Sequence, residues 1–528
     1  MRLDKATEVP INIVGSSTFG RYPKISLEKT YNMFISDEWL VNFAGFQRVS
    51  EVNEVGEGRA LFHSIRGNFV IAVISSSVYR FNEALAPQFI GNLETASGYV
   101  NIDENLNSQI ALADGQNIYI YSYITGNLTK QSLTFAGNPI IPNDVVYHNT
   151  FFLIASNPES INAQNWYAAS FDTNDTITIT ATNQFEIQTK PDNAISVKRL
   201  PGQGNNVIVF GSSVAEVWTQ VGGTENYRRV QSYNIDRGAV SISSIAASEN
   251  SVCWLSQNQN NQPSLMITNG GSNQRISTDG IDYLLESINR PDKSAAFFVR
   301  QDGHLFYVLT FFDASDNVSL MYDFNAQLFF HLSDENLNYF PVRQTIYFND
   351  KTYFVSINDG SIYELSTDYT TYNYNVDPNR QGEMIPRKRI CKSVRKTDNE
   401  RFRAGLFSFW LEQGETDIPL LNIDSGVICD GLLITEEGDQ MISESGDNLI
   451  TQDAVCAPNL NRNAVDLSFS KNGNASFSNR VRNWLNAEGV YQNQIEWHRL
   501  GQANEMTLQL EFWGLQRFVA QNGVLEIY

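Results

Sequence analysis

The chain has 528 residues, a formal net charge of −21, and 42% apolar, 18% charged and 12% aromatic residues. This apolar content excludes an intrinsically disordered chain, and the length predicts two or three domains. The acidic balance excludes a protein whose whole surface grips nucleic acid, because such binding uses clustered lysine and arginine against phosphates.

The N-terminal region, residues 1–10, lacks the apolar stretch of a secretory signal, and no apolar run in the chain is long enough to cross a membrane. We therefore expect a soluble protein with no membrane segment. The four cysteines include no C-x-x-C pair, which predicts reduced, structural thiols and fits assembly in a cytoplasm. A disulfide between Cys429 and Cys456 is the less favoured alternative.

Short apolar strands joined by tight turns follow one another along most of the chain. Residues 68–74 (NFVIAVI) and 78–81 form one such pair, and Asp-Gly turns lie at residues 114–115, 302–303 and 359–360. Asp-Gly between apolar runs predicts a hairpin, because both turn positions favour positive φ. The serial hairpins predict an all-β chain with an irregular β-propeller-like body of six or seven blades; a set of β-sandwiches is the alternative.

One helix is predicted, at residues 278–289 (TDGIDYLLESIN). Ser277 or Thr278 can cap it, and acidic residues occupy its first turn. From Ile281 onwards, apolar residues recur at i, i+3, i+4 and i+7. This stripe is typical of core packing and carries no chemistry.

A change of composition near residue 370 predicts a domain boundary. Residues 370–378 are rich in tyrosine and asparagine and show no clear period. We place the boundary near residue 385, with a propeller-like domain at residues 1–385 and a smaller all-β domain at residues 386–528. Alternating apolar runs at residues 404–411 and 507–513 predict strands in the C-terminal domain.

A basic run begins at this boundary. Residues 387–403 hold eight lysines and arginines against two acids, a net charge of +6 in an acidic chain. The run is interpreted either as a solvated linker that offsets nearby acids or as a contact surface, for which an acidic neighbouring subunit is favoured over DNA. The candidate contact residues are Arg387, Lys388, Arg389, Lys392, Arg395, Lys396, Arg401 and Arg403.

A repeat with a period of eight residues spans residues 434–453 (ITEEGDQM, ISESGDNL, ITQD). Each unit joins an apolar residue to an acidic turn that contains glycine, which predicts a projecting acidic ribbon. The candidate residues of this ribbon, which could bind a hard cation such as Ca²⁺, are Glu436, Asp439, Glu444 and Asp447. A solvated ribbon is favoured over a cation site, because the spacing matches neither an EF-hand nor a nonapeptide calcium repeat.

The sequence shows no spacing typical of a catalytic or metal site. The five histidines are scattered, with no H-x-H, H-E-x-x-H or Cys/His cluster. There is also no G-x-S-x-G turn, no Walker loop and no G-x-G-x-x-G segment after a strand. We therefore expect no enzymatic activity, no catalytic residues, no cofactor and no bound metal.

Several short motifs occur in a shared order along most of the chain. They are KTYNMF at residues 29–34, FAGF at 43–46, VFG at 209–211, EVW at 216–218, DRG at 236–238, VCWL at 252–255, QRIST at 274–278, GH at 303–304, YVLTF at 307–311, IYEL at 362–365 and WHRLG at 497–501. In this order the motifs resemble the tail-hub, or packaged-DNA stabilisation, family of short-tailed bacteriophages of the Salmonella podovirus type. FAGF lacks the family's usual proline, and the ribbon at residues 434–453 looks like an insertion.

The resemblance implies a non-catalytic protein of the virion tail, assembled in the host cytoplasm. It implies a hub or ring subunit below the portal and adaptor, which joins tail components, helps to retain packaged DNA and allows its ejection. The implied partners are the portal-adaptor ring, a nozzle or needle, tail fibres, and copies of the chain in a ring of six or twelve.

The acidic balance favours a role in solubility first, and passive lining of a DNA channel second. The alternative function is that of a carbohydrate-binding or glycan-cleaving propeller of a phage or bacterial surface.

Overall fold

The computed structural model describes residues 6–19, 28–52, 55–222, 226–270, 272–374, 382–396, 400–414, 427–429, 456–458, 463–473, 476–485, 491–514 and 516–528. The chain divides into a propeller unit, Ser16–Asn32 and Phe43–Glu383, and a sandwich unit, Met1–Gly15, Met33–Asn42 and Met384–Tyr528. The last division lies close to the boundary expected from the sequence. The sandwich unit, however, also takes two N-terminal segments that the contiguous domain prediction assigned to the propeller-like body.

The propeller unit consists mainly of antiparallel sheets in series. Seven of the sheets in its described residues are here called blades 1 to 7, and Thr134–Phe135 with Asn138–Pro139 forms a further two-stranded sheet. Blade 1 contains Gly58–Ser64, Phe69–Ile74, Ser77–Phe81 and Pro87–Asn92; blade 2 contains Asn101–Glu104, Gln109–Ala113, Ile118–Ser122 and Asn127–Gln131; blade 3 contains Pro142–His148, Phe151–Ser156, Asn165–Phe171, Ile177–Thr178 and Gln184–Glu186; blade 4 contains Ser196–Arg199, Asn206–Phe210, Ala215–Gln220 and Tyr227–Ile235.

Blades 5 to 7 complete the series. Blade 5 contains Gly238–Ala239, Ala246–Ala247, Val252–Gln257, Pro263–Thr268 and Asn273–Arg275; blade 6 contains Ser294–Gln301, His304–Phe311, Val318–Asp323 and Leu328–Leu332; blade 7 contains Val342–Phe348, Lys351–Ser356, Ile362–Ser366 and the N-terminal strand Gly45–Ser50. The predicted all-β propeller is therefore confirmed.

Tight turns set the register of these hairpins. At the turn in blade 6, Asp302 and Gly303 both have positive φ, 51° and 82°, as an Asp-Gly hairpin requires. In the turns at residues 114–115 and 359–360, only the glycines have positive φ. There Asp114 instead accepts hydrogen bonds from the backbone N–H groups of Gln116 and Asn117, which makes a longer turn than the sequence predicts.

The ring of blades closes by joining the two ends of the propeller unit. Gly45–Ser50 pairs antiparallel with Ile362–Ser366 and forms the fourth strand of blade 7. The first strands of blades 7 and 1 are in contact, and the Leu61 backbone N–H donates to the Gln344 side-chain oxygen at 3.3 Å. An N-terminal strand thus holds the last blade in place.

Apolar cores fill the spaces between successive blades. Between blades 3 and 4, Trp166 is packed with Phe185, Trp218 and Tyr227. The neighbouring cores use the alternate faces of the same strands, because successive side chains of a strand point to opposite sides. Each inner blade is therefore buried on both faces, which explains its nearly continuous apolar runs.

The helix of the propeller unit spans Asp279–Glu286, shorter than the predicted residues 278–289. Thr278 caps it by accepting from the Ile281 N–H, and Ile281 and Leu285 are buried. A 3-10 helix spans Ile242–Ser244. No helix among the described residues is both long and apolar enough to cross a membrane.

The sandwich unit has two antiparallel sheets that share one apolar core. One sheet contains Thr7–Ile11, Met33–Ser36, Trp39–Asn42, Phe402–Gln413, Gln492–Ala503 and Phe518–Ile527; the other contains Arg387–Ile390, Val394–Arg395, Ala464–Lys471, Val481–Trp484 and Glu505–Trp513. The N-terminal strands belong here because Thr7–Ile11 and Trp39–Asn42 both pair with Phe518–Ile527. A separate strand pair, Val427–Cys429 and Cys456–Pro458, sets Cys429 opposite Cys456 in the backbone register.

Candidate interaction surfaces

The structure divides the predicted basic run into buried and exposed residues. Arg387 and Arg389 are buried in the strand Arg387–Ile390. Arg389 donates to the Asn12 carbonyl at 2.9 Å, and the Arg387 guanidinium lies 5.8 Å from the Phe518 ring centroid. Their burial removes these two side chains from any surface that a partner can reach.

Three other residues of the run form ion pairs within the sandwich unit. Lys388 lies 3.9 Å from Glu511, Arg395 lies 2.8 Å from Glu505, and Lys396 lies 3.7 Å from Glu400. Of these pairs, Lys396–Glu400 is the most exposed and contributes about 0–1 kcal/mol.

Lys392, Arg401 and Arg403 are exposed, and together with the largely exposed Arg395 they make up the exposed part of the run. The role of these four residues in a contact stays a prediction. The ribbon residues Glu436, Asp439, Glu444 and Asp447 lie outside the described residues.

The buried histidines serve as packing residues of the propeller unit. His331 stacks on Tyr31 at 4.6 Å and forms a hydrogen bond with Ser17 at 2.8 Å; its burial lowers its pKa to about 3. His304 contacts Asp323 at 2.8 Å. His148 contacts the Tyr227 hydroxyl, and burial lowers its pKa as well. Each of these rings has a local structural partner.

Polar side chains form hydrogen bonds between neighbouring blades, and the same pattern recurs from one pair of blades to the next. Asn101 of blade 2 donates to the Val145 carbonyl of blade 3, and Asn143 of blade 3 donates to the Ile195 carbonyl of blade 4. The acids follow the same pattern: Asp103 accepts from the Tyr147 N–H at 2.8 Å.

Asp144 likewise accepts from the Val197 N–H at 3.1 Å. It also forms an ion pair with Lys198 at 2.9 Å, while Asp103 pairs with Arg199 at 3.1 Å. Burial raises the pKa of Asp103. These groups join neighbouring blades, which accounts for their burial.

Two buried arginines lie near the point where blades 7 and 1 meet. Arg59 donates to the carbonyls of Gly98, Ser75 and Thr95 at 2.7–2.9 Å. Arg343 reaches the Arg59 carbonyl at 3.5 Å and Glu57 at 3.3 Å. Burial lowers the pKa of Arg59 to about 10, so that it stays charged at neutral pH.

A groove of about 760 Å³ lies between the outer edges of blades 3 and 4, and is here called the blade 3–4 groove. Gln184, Glu186 and Gln188 line its blade 3 side. On the blade 4 side it is lined by Trp218, Arg228, Arg229 and Gln231. The volume lies within the range of about 300–1,000 Å³ that is typical of ligand sites.

The buried carboxylate of Glu216 organises both sides of this groove. It accepts from the backbone N–H groups of Gln188 and Thr189 at 2.9 and 2.6 Å, and from the Trp218 indole at 3.1 Å. It also lies 3.6 Å from Arg229. The EVW motif contains Glu216 and Trp218, but from the sequence it predicts only a strand, because the groove depends on residues that are distant in the chain.

Solved structures share low sequence identity with the chain. Virginiamycin B lyase from Staphylococcus aureus is 10% identical, with a TM-score of 0.40 over 61% of this chain and 99% of that one. A chain of the mitotic checkpoint complex is 12% identical, with a TM-score of 0.39 over 62% and 93%.

The extracellular domain of the putative one component system BT4673 from B. thetaiotaomicron is 8% identical, with a TM-score of 0.40 over 61% and 40%. This chain therefore spans less than half of that structure's length. Among curated proteins, no relative matches.

The family match is more informative than these structures. Residues 19–370 match the phage-stabilisation family described as "Bacteriophage P22 Gp10, beta-propeller". The match covers more than half of the chain and most of the propeller unit, and the resemblance identified from the motifs is confirmed. The chain therefore belongs to this family, and is a bacteriophage tail protein of the kind that stabilises DNA.

Proposed function

We propose that this protein is a non-catalytic hub or ring subunit of a short phage tail. It lies below the portal and adaptor, joins them to a nozzle, needle or fibres, and helps to hold packaged DNA until ejection. The observation that carries the proposal is the match of residues 19–370 to the phage-stabilisation propeller family. By the same proposal, the protein is assembled in the host cytoplasm and carried in the virion tail.

The arrangement of the propeller supports a structural role. Asp103, Asp144 and Arg59 are buried and are used to join or brace blades. A closed ring braced in this way is rigid, as a subunit that resists the pressure of packaged DNA needs to be. His148, His304 and His331 are held by structural partners, which supports the non-catalytic part of the proposal.

The proposed assembly is a cyclic ring of six or twelve copies, built from many modest interfaces. The exposed residues Lys392, Arg395, Arg401 and Arg403 are the proposed contact with an acidic neighbour, since a chain of net charge −21 offers acidic surface on every copy. Passive lining of the DNA channel by acidic surface is the second part of the same proposal.

Electron cryomicroscopy of purified virions tests the proposal. We expect seven-bladed densities arranged in a ring of six or twelve below the adaptor. Virions assembled without the protein should package DNA and then lose it, which a density gradient measures as a reduced fraction of filled particles. Absence of the protein from virions, or full DNA retention without it, contradicts the proposal.

Charge reversal tests the contact residues separately. Lys392→Glu combined with Arg401→Glu should reduce ring formation, measured by mass photometry at low salt. Arg300→Glu is the matched control, because Arg300 is an exposed arginine on blade 6 of the propeller unit. Equal ring formation by all three proteins contradicts the assigned contact but leaves the virion role standing.

A further inference from the structure

We propose that the blade 3–4 groove binds a neutral, hydroxyl-rich ligand, namely a carbohydrate. This inference goes beyond the structural role proposed above and gives the chain a ligand site in addition. It rests on the shape of the groove, the way its walls are held, and the mixture of side chains that line it.

The walls of the groove are preorganised. Glu216 is fully buried and fixes the Gln188–Thr189 backbone on one side and Trp218 on the other. Thr189 also donates its hydroxyl to Glu216 at 2.5 Å and accepts from Arg229 at 3.3 Å. Lining groups held in this way lose little entropy when a ligand binds, which favours binding by small polar molecules.

The outer strand of blade 4 breaks register at the groove. Trp218 pairs with Arg229, whereas Glu216 pairs with Asn234, so that residues 230–233 lie opposite the single residue Val217. A bulge of this kind turns side chains away from their regular direction, and bulges are common beside binding sites. Gln231, which lies in the bulge, is one of the side chains that line the groove.

The polar lining contains both donors and acceptors. Gln184, Gln188 and Gln231 each carry an amide that donates and accepts, while Glu186 accepts and Arg228 donates. A sugar hydroxyl also donates and accepts, so several hydroxyls can satisfy all of these groups together. The three planar amides favour neighbouring hydroxyls on a ring over an isolated polar atom.

Charge argues against an acidic or a basic ligand. Glu186 and Arg228 are both exposed and line the same groove from different blades, and Arg229 lies beside the buried Glu216. Glu186 offsets Arg228, and Glu216 offsets Arg229, so the lining has no net charge that would select an anion or a cation. A neutral polar ligand fits this balance.

Saturation-transfer NMR on the full chain tests the inference. The probes are a panel of neutral saccharides (glucose, galactose, methyl mannoside, N-acetylglucosamine, maltose and lactose), with sialic acid and a short oligoglutamate as acidic comparisons. We expect signal transfer to at least one neutral saccharide, and at least a tenfold loss of affinity in the double variant Arg228→Ala, Gln231→Ala. Both side chains are exposed, so the variant should keep the thermal midpoint of the parent protein.

Arg300→Ala is the matched control, and should bind the saccharide as the parent protein does. Signal transfer to none of the neutral saccharides overturns the inference. So does transfer that survives Arg228→Ala, Gln231→Ala, or a preference for sialic acid or oligoglutamate over every neutral probe. In the last case the groove would be a site for an acidic partner.

Discussion

The propeller unit and the sandwich unit are both built from antiparallel strands. They differ in how far apart the paired strands lie in the sequence. In blades 1 to 6, each strand pairs with the next one along the chain or nearly so. In the sandwich unit, Thr7–Ile11 pairs with Phe518–Ile527, at the opposite end of the sequence. Short-range pairing is recognisable from local turns, whereas pairing between chain ends has no local signal.

The two units also differ in what fills their interiors. The propeller unit buries ionic side chains such as Arg59, Asp103 and Asp144 between or beside its blades. The sandwich unit has one continuous apolar core between its sheets, to which Phe407, Leu467 and Leu510 belong. The sandwich unit also buries Arg387 and Arg389, so both units should be sensitive to the loss of a single buried polar group, whereas a loss of apolar volume in the sandwich unit acts on this one core.

The largest effect on the free energy of unfolding is expected from Arg59→Ala in the propeller unit. The substitution leaves the carbonyls of Ser75, Thr95 and Gly98 without a donor in a buried site. We expect a loss of about 4 kcal/mol in the free energy of unfolding, measured by urea denaturation. Hydrogen exchange should show the loss of protection in blade 1.

The exposed Arg300→Ala is the control for Arg59→Ala and should change stability by less than about 0.5 kcal/mol. A loss below about 1 kcal/mol for Arg59→Ala would show that water or neighbouring groups replace the guanidinium. That result would mean that the buried polar groups between the blades contribute little to the stability of the propeller unit.

Leu467→Ala tests the apolar side of the comparison. Leu467 is fully buried in the sandwich core, opposite Leu510 on the neighbouring strand. Its truncation should cost about 3 kcal/mol, through lost burial and the cavity left behind. Val481→Ala on the adjacent strand is the control, because that side chain is 49% exposed. If both substitutions cost the same, the core is not the main source of stability in this unit.

The sequence predicts the propeller unit well because its signals are local. Apolar runs and Asp-Gly turns place hairpins such as His304–Phe311 with Ser294–Gln301 correctly. It misses the strand Gly45–Ser50 as part of blade 7 and the N-terminal strands as part of the sandwich unit. These pairings join distant segments, so that only the folded chain shows them.

The candidate sites were harder to predict, for a similar reason. A run of eight basic residues shows the net charge of the segment but not which way each side chain points. In a strand, alternate side chains lie on opposite faces. Arg387 and Arg389 point into the sandwich unit, while Lys388 between them is only partly buried. The blade 3–4 groove brings Gln188 beside Glu216, a contact between blades that no motif in the sequence marks.

A smaller effect concerns how the free energy of unfolding depends on pH, and it is expected from a buried histidine of the propeller unit. Burial lowers the pKa of His331 to about 3 from its ordinary value of 6.5, so the folded propeller unit holds this ring neutral. Below about pH 6.5 the unfolded state therefore binds more protons, and stability falls with pH. At about 1.4 kcal/mol per pH unit, the loss from His331 between pH 6.5 and pH 5 is about 2 kcal/mol.

Urea denaturation of the parent protein and of His331→Asn at several pH values isolates this effect. We expect the difference in unfolding free energy between the two proteins to shrink as the pH falls. A difference that stays constant with pH would mean that His331 binds a proton as readily in the folded protein as in the unfolded chain.

The smallest effect on the free energy of unfolding is expected from Lys392→Ala. This substitution compares an exposed residue of the basic run with a buried one. Lys392 is exposed, whereas Arg389, three residues before it, is fully buried and donates to the Asn12 carbonyl. Lys392→Ala should change the free energy of unfolding by less than about 0.5 kcal/mol, and Arg389→Ala should cost about 3 kcal/mol. If Lys392→Ala destabilises the isolated chain as much as Arg389→Ala does, the charge of Lys392 is needed for folding. The exposed part of the run is then not a surface reserved for a neighbouring subunit.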